Sequence, residues 1–146
     1  AHADSLVYEL TQLGYTVAEL IHHDDRGRLA TARLKSSGRP PMRIDLIFAF
    51  TGIESEIVET AEEGHILSDI NVRVATIPSL IAMKTLAADW NRRPQDILDL
   101  QHLITAATPP ELEATRELLE LITKRGYNGT KDLQKHLDGY IEQFLD

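Results

Sequence analysis

The sequence predicts an α+β fold in which a mixed sheet with helices is followed by a C-terminal helical segment. Two observations support this class. Strand-like alternation and turn clusters dominate the chain up to residue 76, whereas apolar residues recur at helical spacing after it. The length of 146 residues, 42% of them hydrophobic, suits one compact domain. We predict an α+β core over residues 1–106 and a helical pair over residues 107–146 that packs on it.

The first half is predicted to contain one helix and three strands. Apolar residues at helical spacing over residues 4–13 stop at Gly14, which ends the helix. The predicted strands span residues 15–21, 28–35 and 42–50. The turn cluster at residues 36–41 joins the last two strands as a β-hairpin.

The second half is predicted to be mainly helical. An acidic helix over residues 53–64 ends at Gly64, and Val72 and Val74 alternate with Arg73 in a strand over residues 66–76. Pro78 occupies the start of the next helix, a position that proline favours. The remaining predicted helices span residues 79–90, 95–106, 111–125 and 131–145.

Composition excludes several classes of function. Fifteen basic residues against 23 acidic ones give a net charge of −8, which argues against a protein that coats nucleic acid over its whole surface. The lack of cysteine excludes disulfide scaffolds, thiolate zinc sites and cysteine nucleophiles. Because no apolar run is long enough to span a membrane and no signal peptide is visible, we expect a cytoplasmic location.

Asp45 is out of place in the most hydrophobic predicted strand. Alternation puts Ile44 and Leu46 on one face of that strand and Arg43, Asp45 and Ile47 on the other. An acid in this setting needs a partner or solvent, because burying it unpaired is costly. Either Asp45 faces solvent or bonds Arg43, or it is a strand carboxylate directed at a metal ion such as Mg²⁺.

Lys84 is out of place on a helix. At 100° per residue it falls in the centre of the apolar arc, while Thr85 and Asp89 point the other way. The arc consists of Leu80, Ile81, Ala87 and Ala88. The lysine either extends its stem along the core or reaches an anion such as a phosphate.

The next helix carries the opposite charge on its apolar arc. Asp96 lies between Leu100 and Leu103, and Asp99 lies at the edge of the arc. Asp96 is either an acid that favours the start of a helix or a partner of Lys84 or Arg92; we favour the structural role.

Basic residues are concentrated in one predicted hairpin. Six of the 15 bases occur in residues 26–43, with no acid between them: Arg26, Arg28, Arg33, Lys35, Arg39 and Arg43. They are either scattered solvated charges or a local contact for phosphates.

Several common catalytic motifs are absent from the sequence. It contains no phosphate-binding P-loop, no glycine-rich dinucleotide fingerprint and no serine nucleophile elbow. Histidines show no zinc spacing, so a histidine-based metal site is not expected.

An ordered set of segments carries a family resemblance. The set comprises Arg-Ile-Asp-Leu-Ile at residues 43–47, the strand at 72–75, Ile-Pro-Ser-Leu-Ile-Ala-Met-Lys at 77–84, Arg92-Arg93, and Asp-Ile-Leu-Asp-Leu at 96–100. The set resembles the nucleotidyltransferase superfamily with the DNA-polymerase-β-like fold, in its AbiEii-type bacterial branch. The resemblance covers about residues 4–104.

The resemblance implies a reaction and a set of site residues. Such enzymes use two Mg²⁺ ions held by three carboxylates to transfer a nucleoside monophosphate from an NTP, releasing pyrophosphate. Asp45 matches the third, metal-binding carboxylate, and Lys84 matches the helix lysine expected at the triphosphate. Arg92 and Arg93 are expected to bind phosphate, and Asp96 and Asp99 match the helix that braces the lysine.

The chain departs from the family pattern at its amino end. The Gly-Ser turn and the strand ending in Asp-x-Asp, which supply the first two carboxylates, are not present, and Asp24 and Asp25 do not replace them by pattern. We expect this segment, with its first strand and turn, to precede Ala1 and to be needed for catalysis. Otherwise the domain retains the fold without the chemistry.

The AbiEii-type branch that the sequence resembles includes toxins of bacterial toxin–antitoxin and phage-defence systems. The expected partners are therefore an NTP, an RNA acceptor and an antitoxin-like protein. The alternative is a non-catalytic binding module that contacts a protein partner through residues 111–145. Apolar residues recur there at helical spacing, a pattern that core packing also produces: Leu133, Leu137, Tyr140, Ile141 and Phe144.

Overall fold

The computed structural model describes residues 2–22, 29–67, 70–89, 92 and 94–145. They form an α+β structure with two antiparallel sheets, so the predicted fold class is confirmed. The chain divides into two compact units, residues 1–50 and residues 51–146. No helix among the described residues is long and apolar enough to cross a membrane.

The first unit is a helix with a three-stranded sheet of order β1-β2-β3. Its elements are α1 (His2–Gln12), β1 (Thr16–His22), β2 (Leu29–Lys35) and β3 (Arg43–Ile47). The predicted helix end is confirmed, since Gly14 follows α1 with a φ of +90° that side chains rarely adopt. Strand β3 is shorter than the predicted strand because its pairing with β2 ends where Ile47 meets Thr31.

Strand alternation separates an apolar and a charged face in this sheet. Ala32 and Leu34 of β2 are fully buried, and Ile44 and Leu46 of β3 are half-buried on the same face. The opposite face carries Thr31 and Ile47 together with the charged side chains of the two strands: Arg33, Lys35, Arg43 and Asp45. The predicted assignment of the β3 side chains to two faces is therefore confirmed.

The second unit begins with α2 (Glu54–Thr60) and the hairpin of β4 (Glu62–Leu67) and β5 (Ile70–Val74). The predicted helix over residues 53–64 is wrong at its end, because Ala61 is extended and Gly64 lies in β4. A Cβ on Gly64 would stand 2.8 Å from Val74 Cγ2, so glycine here permits close strand pairing. The single strand predicted over residues 66–76 is also wrong, because β4 and β5 form a hairpin there.

Four helices complete the second unit: α3 (Ile77–Ala87), α4 (Pro94–Ala106), α5 (Pro109–Lys124) and α6 (Leu133–Leu145). Pro78 lies in the first turn of α3 as predicted, while Trp90, the predicted end of that helix, lies outside the described residues. Thr108 and Glu111 form a capping box at α5, with Thr108 Oγ1 2.7 Å from Glu111 Oε2.

The helices share one hydrophobic core. Ile81 of α3, Leu100 of α4, Leu119 of α5 and Leu137 of α6 are each fully buried in it. Helices α5 and α6 are therefore integral to the unit that contains α3 and α4. The boundary between the compact units falls after Phe50, and the division of the chain near residue 106 stays a prediction.

A bidentate ion pair connects α2 to the end of α5. Arg125 Nη2 lies 2.6 Å from Glu56 Oε1, and Arg125 Nη1 lies 3.0 Å from Glu56 Oε2. Arg125 also donates a hydrogen bond to the Gly52 carbonyl. The hydrogen bond from Arg125 is the main cause that lowers the pKa of Glu56 to about 2.

This ion pair makes stability depend on pH. Because the folded-state pKa of Glu56 is below its ordinary value of 4.5, its stabilising contribution is present above pH 4.5 and is lost as the pH falls toward 2. Glu56→Gln is expected to lower the free energy of unfolding at neutral pH by about 1 kcal/mol or less, since the pair is partly solvated. Urea titrations at a series of pH values measure this difference, which should shrink in acid. Glu59→Gln, an exposed change on the same helix, is the control, and identical pH profiles for the two variants would contradict the assignment.

Candidate functional site

Lys84 joins helices α3 and α4 through two aspartates. Its Nζ donates a hydrogen bond to Asp96 Oδ1 at 2.7 Å and another to Asp99 Oδ2 at 2.6 Å. Residues three apart on a helix lie on one face, so Asp96 and Asp99 of α4 both point at the same lysine. The structure thus brings together three of the side chains that the sequence singles out.

Burial differs among these three groups. Asp96 is 4% exposed in the first turn of α4, where the helix dipole favours an acid. The Lys84 and Asp99 side chains keep 30% and 33% of their exposure. Asp96 thus occupies the helix start that we favoured and also pairs with Lys84, the alternative that we did not favour. The lysine lies at the margin of the core with its charged end partly in solvent.

The surroundings keep Lys84 and Asp99 ionised. Burial lowers the pKa of Lys84, but its hydrogen bonds to Asp96 and Asp99 outweigh burial and leave that pKa above the ordinary value. The hydrogen bond from Lys84, followed by one from Gln95 at 3.0 Å, lowers the pKa of Asp99. Lys84 is therefore a cation throughout the neutral range.

One donor of Lys84 remains available for a ligand. An ammonium group has three N–H donors, and within the described part of the chain two of them bond carboxylates. The third belongs to a side chain that is still partly exposed. Lys84 can donate this third N–H to one oxygen of an anion while it keeps its hydrogen bonds to both aspartates.

Helix α3 is covered on more sides than its sequence indicates. Thr85 is fully buried, although helical geometry directs it away from the apolar arc. It is buried because α3 packs against α4, α5 and α6, so both faces of the helix meet other helices. The Thr85 hydroxyl has no hydrogen-bond partner among the described residues.

The structure describes one of the two arginines that follow α3. The backbone N–H of Arg92 donates a hydrogen bond to Asp89 Oδ1 at 3.1 Å, and Arg92 is exposed. Arg93 lies outside the described residues. Their assignment to phosphate binding stays a prediction.

Asp45 lies in the first unit, with arginine on both sides. Its Oδ2 is 3.4 Å from Arg33 Nε on β2 and 3.4 Å from Arg43 Nη2 on its own strand. Arg33 also bonds Glu19 at 2.6 Å, and the bonds to Asp45 and Glu19 raise the pKa of Arg33. The geometry favours the interpretation in which Asp45 bonds a neighbouring arginine.

A two-magnesium site does not fit the described residues. They contain no group of three or more histidine and carboxylate side chains placed to hold a metal ion. Asp45 already bonds two cations through one oxygen. The expected role of Asp45 as a metal ligand stays a prediction.

Sequence reasoning missed Lys131, which lies in the turn between α5 and α6. Its Nζ donates to the carbonyls of Leu86, at 2.6 Å, and of Ala88, at 3.1 Å. These carbonyls end α3, where a cation offsets the helix dipole. Because the partners are backbone atoms more than 40 residues away, no side-chain pattern signals the contact.

Comparison with known families decides the relationship of this chain. A family model described as "Nucleotidyl transferase AbiEii toxin, Type IV TA system" matches residues 5–145. The chain belongs to the AbiEii nucleotidyltransferase toxin family. A search of curated proteins gave no match.

Membership in the AbiEii family confirms the resemblance and extends it. The match continues through α5 and α6, beyond the limit near residue 104 that the sequence motifs gave. As an AbiEii-family toxin of a type IV toxin–antitoxin system, the protein has a cognate antitoxin as its expected partner.

The pairing of Lys84 with a buried aspartate predicts unequal effects of substitution. Lys84→Met is expected to lower the free energy of unfolding by about 2 kcal/mol, because it removes the ammonium group that bonds the buried Asp96 and Asp99. Adding Asp96→Asn should recover at least half of that loss, since the remaining amide carries no charge. Urea denaturation of the two variants measures both values. Additive losses in the double variant would show that the two side chains do not interact energetically.

Proposed function

We propose that this AbiEii-family protein transfers a nucleoside monophosphate from an NTP to an RNA acceptor and that Lys84 binds the triphosphate. The single observation that supports this assignment is the cationic Lys84, held by two aspartates with a third donor still available. The sequence resemblance assigns the same lysine to the triphosphate, and the family match supports nucleotidyl transfer.

The residues of this chain act by positioning and by charge. Asp96 and Asp99 fix the Lys84 ammonium, so that its remaining donor meets a phosphate oxygen at little conformational cost. In the reaction, an acceptor hydroxyl attacks the α-phosphorus, the bond between that phosphorus and the α–β bridging oxygen breaks, and pyrophosphate leaves while the hydroxyl proton passes to water. Charge develops on the leaving pyrophosphate, which a fixed cation stabilises.

Magnesium dependence is part of the proposal through the family resemblance alone. Mg²⁺ would supply charge neutralisation of the triphosphate when bound. The described carboxylates do not form a site for it, and Asp45 is the residue of this chain that the resemblance assigns to that role.

The alternative of a non-catalytic binding module has no comparable support. The apolar residues of α6 on which it was based lie in the core of the unit that contains them, with Leu133 and Leu137 fully buried. They pack against α4 and α5, and Ile141 and Phe144 are partly buried against the same core.

The proposed site is testable by thermal denaturation with and without NTPs and Mg²⁺. A bound NTP at about 100 times its dissociation constant should stabilise the protein by about 2.7 kcal/mol and raise the Tm by several degrees. Lys84→Gln should abolish this shift, and Arg92→Gln should reduce it. Lys124→Gln, which removes an exposed lysine of α5, is the matched control and should keep the shift.

An activity measurement separates nucleotidyl transfer from other reactions. With RNA present, label from an α-phosphate-labelled NTP should become attached to the RNA, whereas label from the γ-phosphate should appear in pyrophosphate. Transfer of the γ-label, or an NTP shift that survives Lys84→Gln in a folded variant, would contradict the proposal.

A further inference from the structure

The charge of this acidic protein is unevenly distributed along the chain. Residues 29–47 contain four basic side chains and one acidic side chain, whereas the rest of the chain contains 11 basic and 22 acidic ones. These residues form β2, β3 and the turn between them. The first unit therefore presents a local positive surface on a protein of net charge −8.

Strand register places two of these cations directly opposite each other. Lys35 pairs with Arg43 across β2 and β3, so their side chains share the charged face of the sheet. Like charges in opposed positions repel and destabilise a sheet. Arg39, in the turn between the strands, adds a third exposed cation at this end of the hairpin.

The cations of this hairpin differ in how far they are neutralised. Arg33 bonds both Glu19 and Asp45, so two acids offset its charge. Arg43 contacts Asp45 at 3.4 Å, and its side chain remains 66% exposed. Lys35 and Arg39 form no ion pair with any residue that the structure describes. We call Lys35, Arg39 and Arg43 the basic ribbon.

The basic ribbon lacks features that read bases. Residues 29–47 contain no aromatic side chain on which a base would stack. Exposed lysine and arginine on a strand pair instead suit phosphate oxygens, whose contacts position a nucleic acid without reading its sequence. A polyanion at the ribbon also relieves the repulsion between Lys35 and Arg43.

We propose that the basic ribbon binds the phosphodiester backbone of a nucleic acid, with RNA as the acceptor strand. This inference rests on the proposed function, because it identifies the surface that holds the acceptor of the same reaction. It concerns residues of the first unit alone and assigns recognition of the backbone, with no dependence on base sequence.

Matched charge variants test the basic ribbon. Lys35→Gln with Arg39→Gln removes two ribbon cations, and Lys124→Gln with Lys135→Gln removes two exposed lysines of the second unit. Both double variants have the same net charge, so a general electrostatic effect would weaken binding equally. Unchanged circular-dichroism melting of each variant verifies that it is folded.

Binding is measured by fluorescence anisotropy of a labelled mixed-sequence oligoribonucleotide from about 50 to about 200 mM KCl. The ribbon variant is expected to bind about tenfold more weakly at low salt. The slope of its log affinity against log salt should be shallower by about 1.4, as two lost phosphate contacts require on a single strand. The second-unit variant should match the parent in both values.

Two further probes identify the class of polyanion that binds the basic ribbon. The matching oligodeoxynucleotide distinguishes the two nucleic acids: binding of RNA supports the proposal, and binding of DNA alone would exclude RNA as the partner. Polyglutamate tests an acidic protein, and equal dependence of its binding on Lys35 and Arg39 would overturn the nucleic-acid assignment. Equal losses in the two double variants, or no RNA binding by the parent, would also overturn it.

The NTP-dependent Tm shift separates this inference from the proposed function. A ribbon variant that loses RNA binding and keeps the NTP-dependent Tm shift supports the basic ribbon as the acceptor surface. If the parent binds RNA through the ribbon but shows no NTP shift, the ribbon inference is supported and the nucleotide role of Lys84 fails.

Discussion

The contact between Lys84 and two aspartates is the constraint on which the arrangement of α3 and α4 depends. Asp96 is 4% exposed, and a carboxylate buried to this extent needs hydrogen-bond donors or a cation. Its cation comes from α3, so the two helices have little freedom to rotate about their axes. A shift of one residue turns a helix by about 100° and would separate both aspartates from the ammonium. Because hydrophobic packing is non-directional, this contact supplies the register that packing alone does not.

Helix α3 is the centre of the second unit, and cations secure the elements around it. The apolar core covers α3 with α4, α5 and α6. Lys131 binds the carbonyls that end α3, and Arg125 connects the end of α5 to Glu56 of α2. Each contact joins elements more than 40 residues apart in sequence. The hydrogen bonds of Lys131 and Arg125 are directional, so they fix the positions of these elements at the edge of the apolar core.

Much of this arrangement was predictable because the sequence contains local stop signals and conflicts of pattern. Gly14 and Pro78 mark helix limits through backbone geometry. The opposite charges on the apolar arcs of α3 and α4 marked Lys84 and Asp96 as candidate partners, although the sequence did not decide between pairing and a helix-start role for Asp96. Prediction failed at Gly64, where a glycine that permits close strand pairing has the same appearance as one that ends a helix. The partners of Lys131 and the burial of Thr85 depend on distant backbone and helix packing, which local periodicity does not encode.

The ability of each cation to bind phosphate follows from the donors that its own carboxylates leave over. Arg33 gives two of its five N–H donors to Asp45 and Glu19, and these two acids offset its charge and fix its orientation. Lys84 is oriented by two aspartates yet retains one donor, an arrangement suited to one phosphate oxygen in a fixed place. Lys35 and Arg39 have no such acid within the described residues, so they suit a backbone whose phosphates are mobile and numerous. A cation that is oriented by carboxylates therefore has fewer donors left for phosphate. A nucleotide whose reacting phosphorus must be positioned needs an oriented cation, whereas an acceptor strand that is held along its length needs cations with free donors.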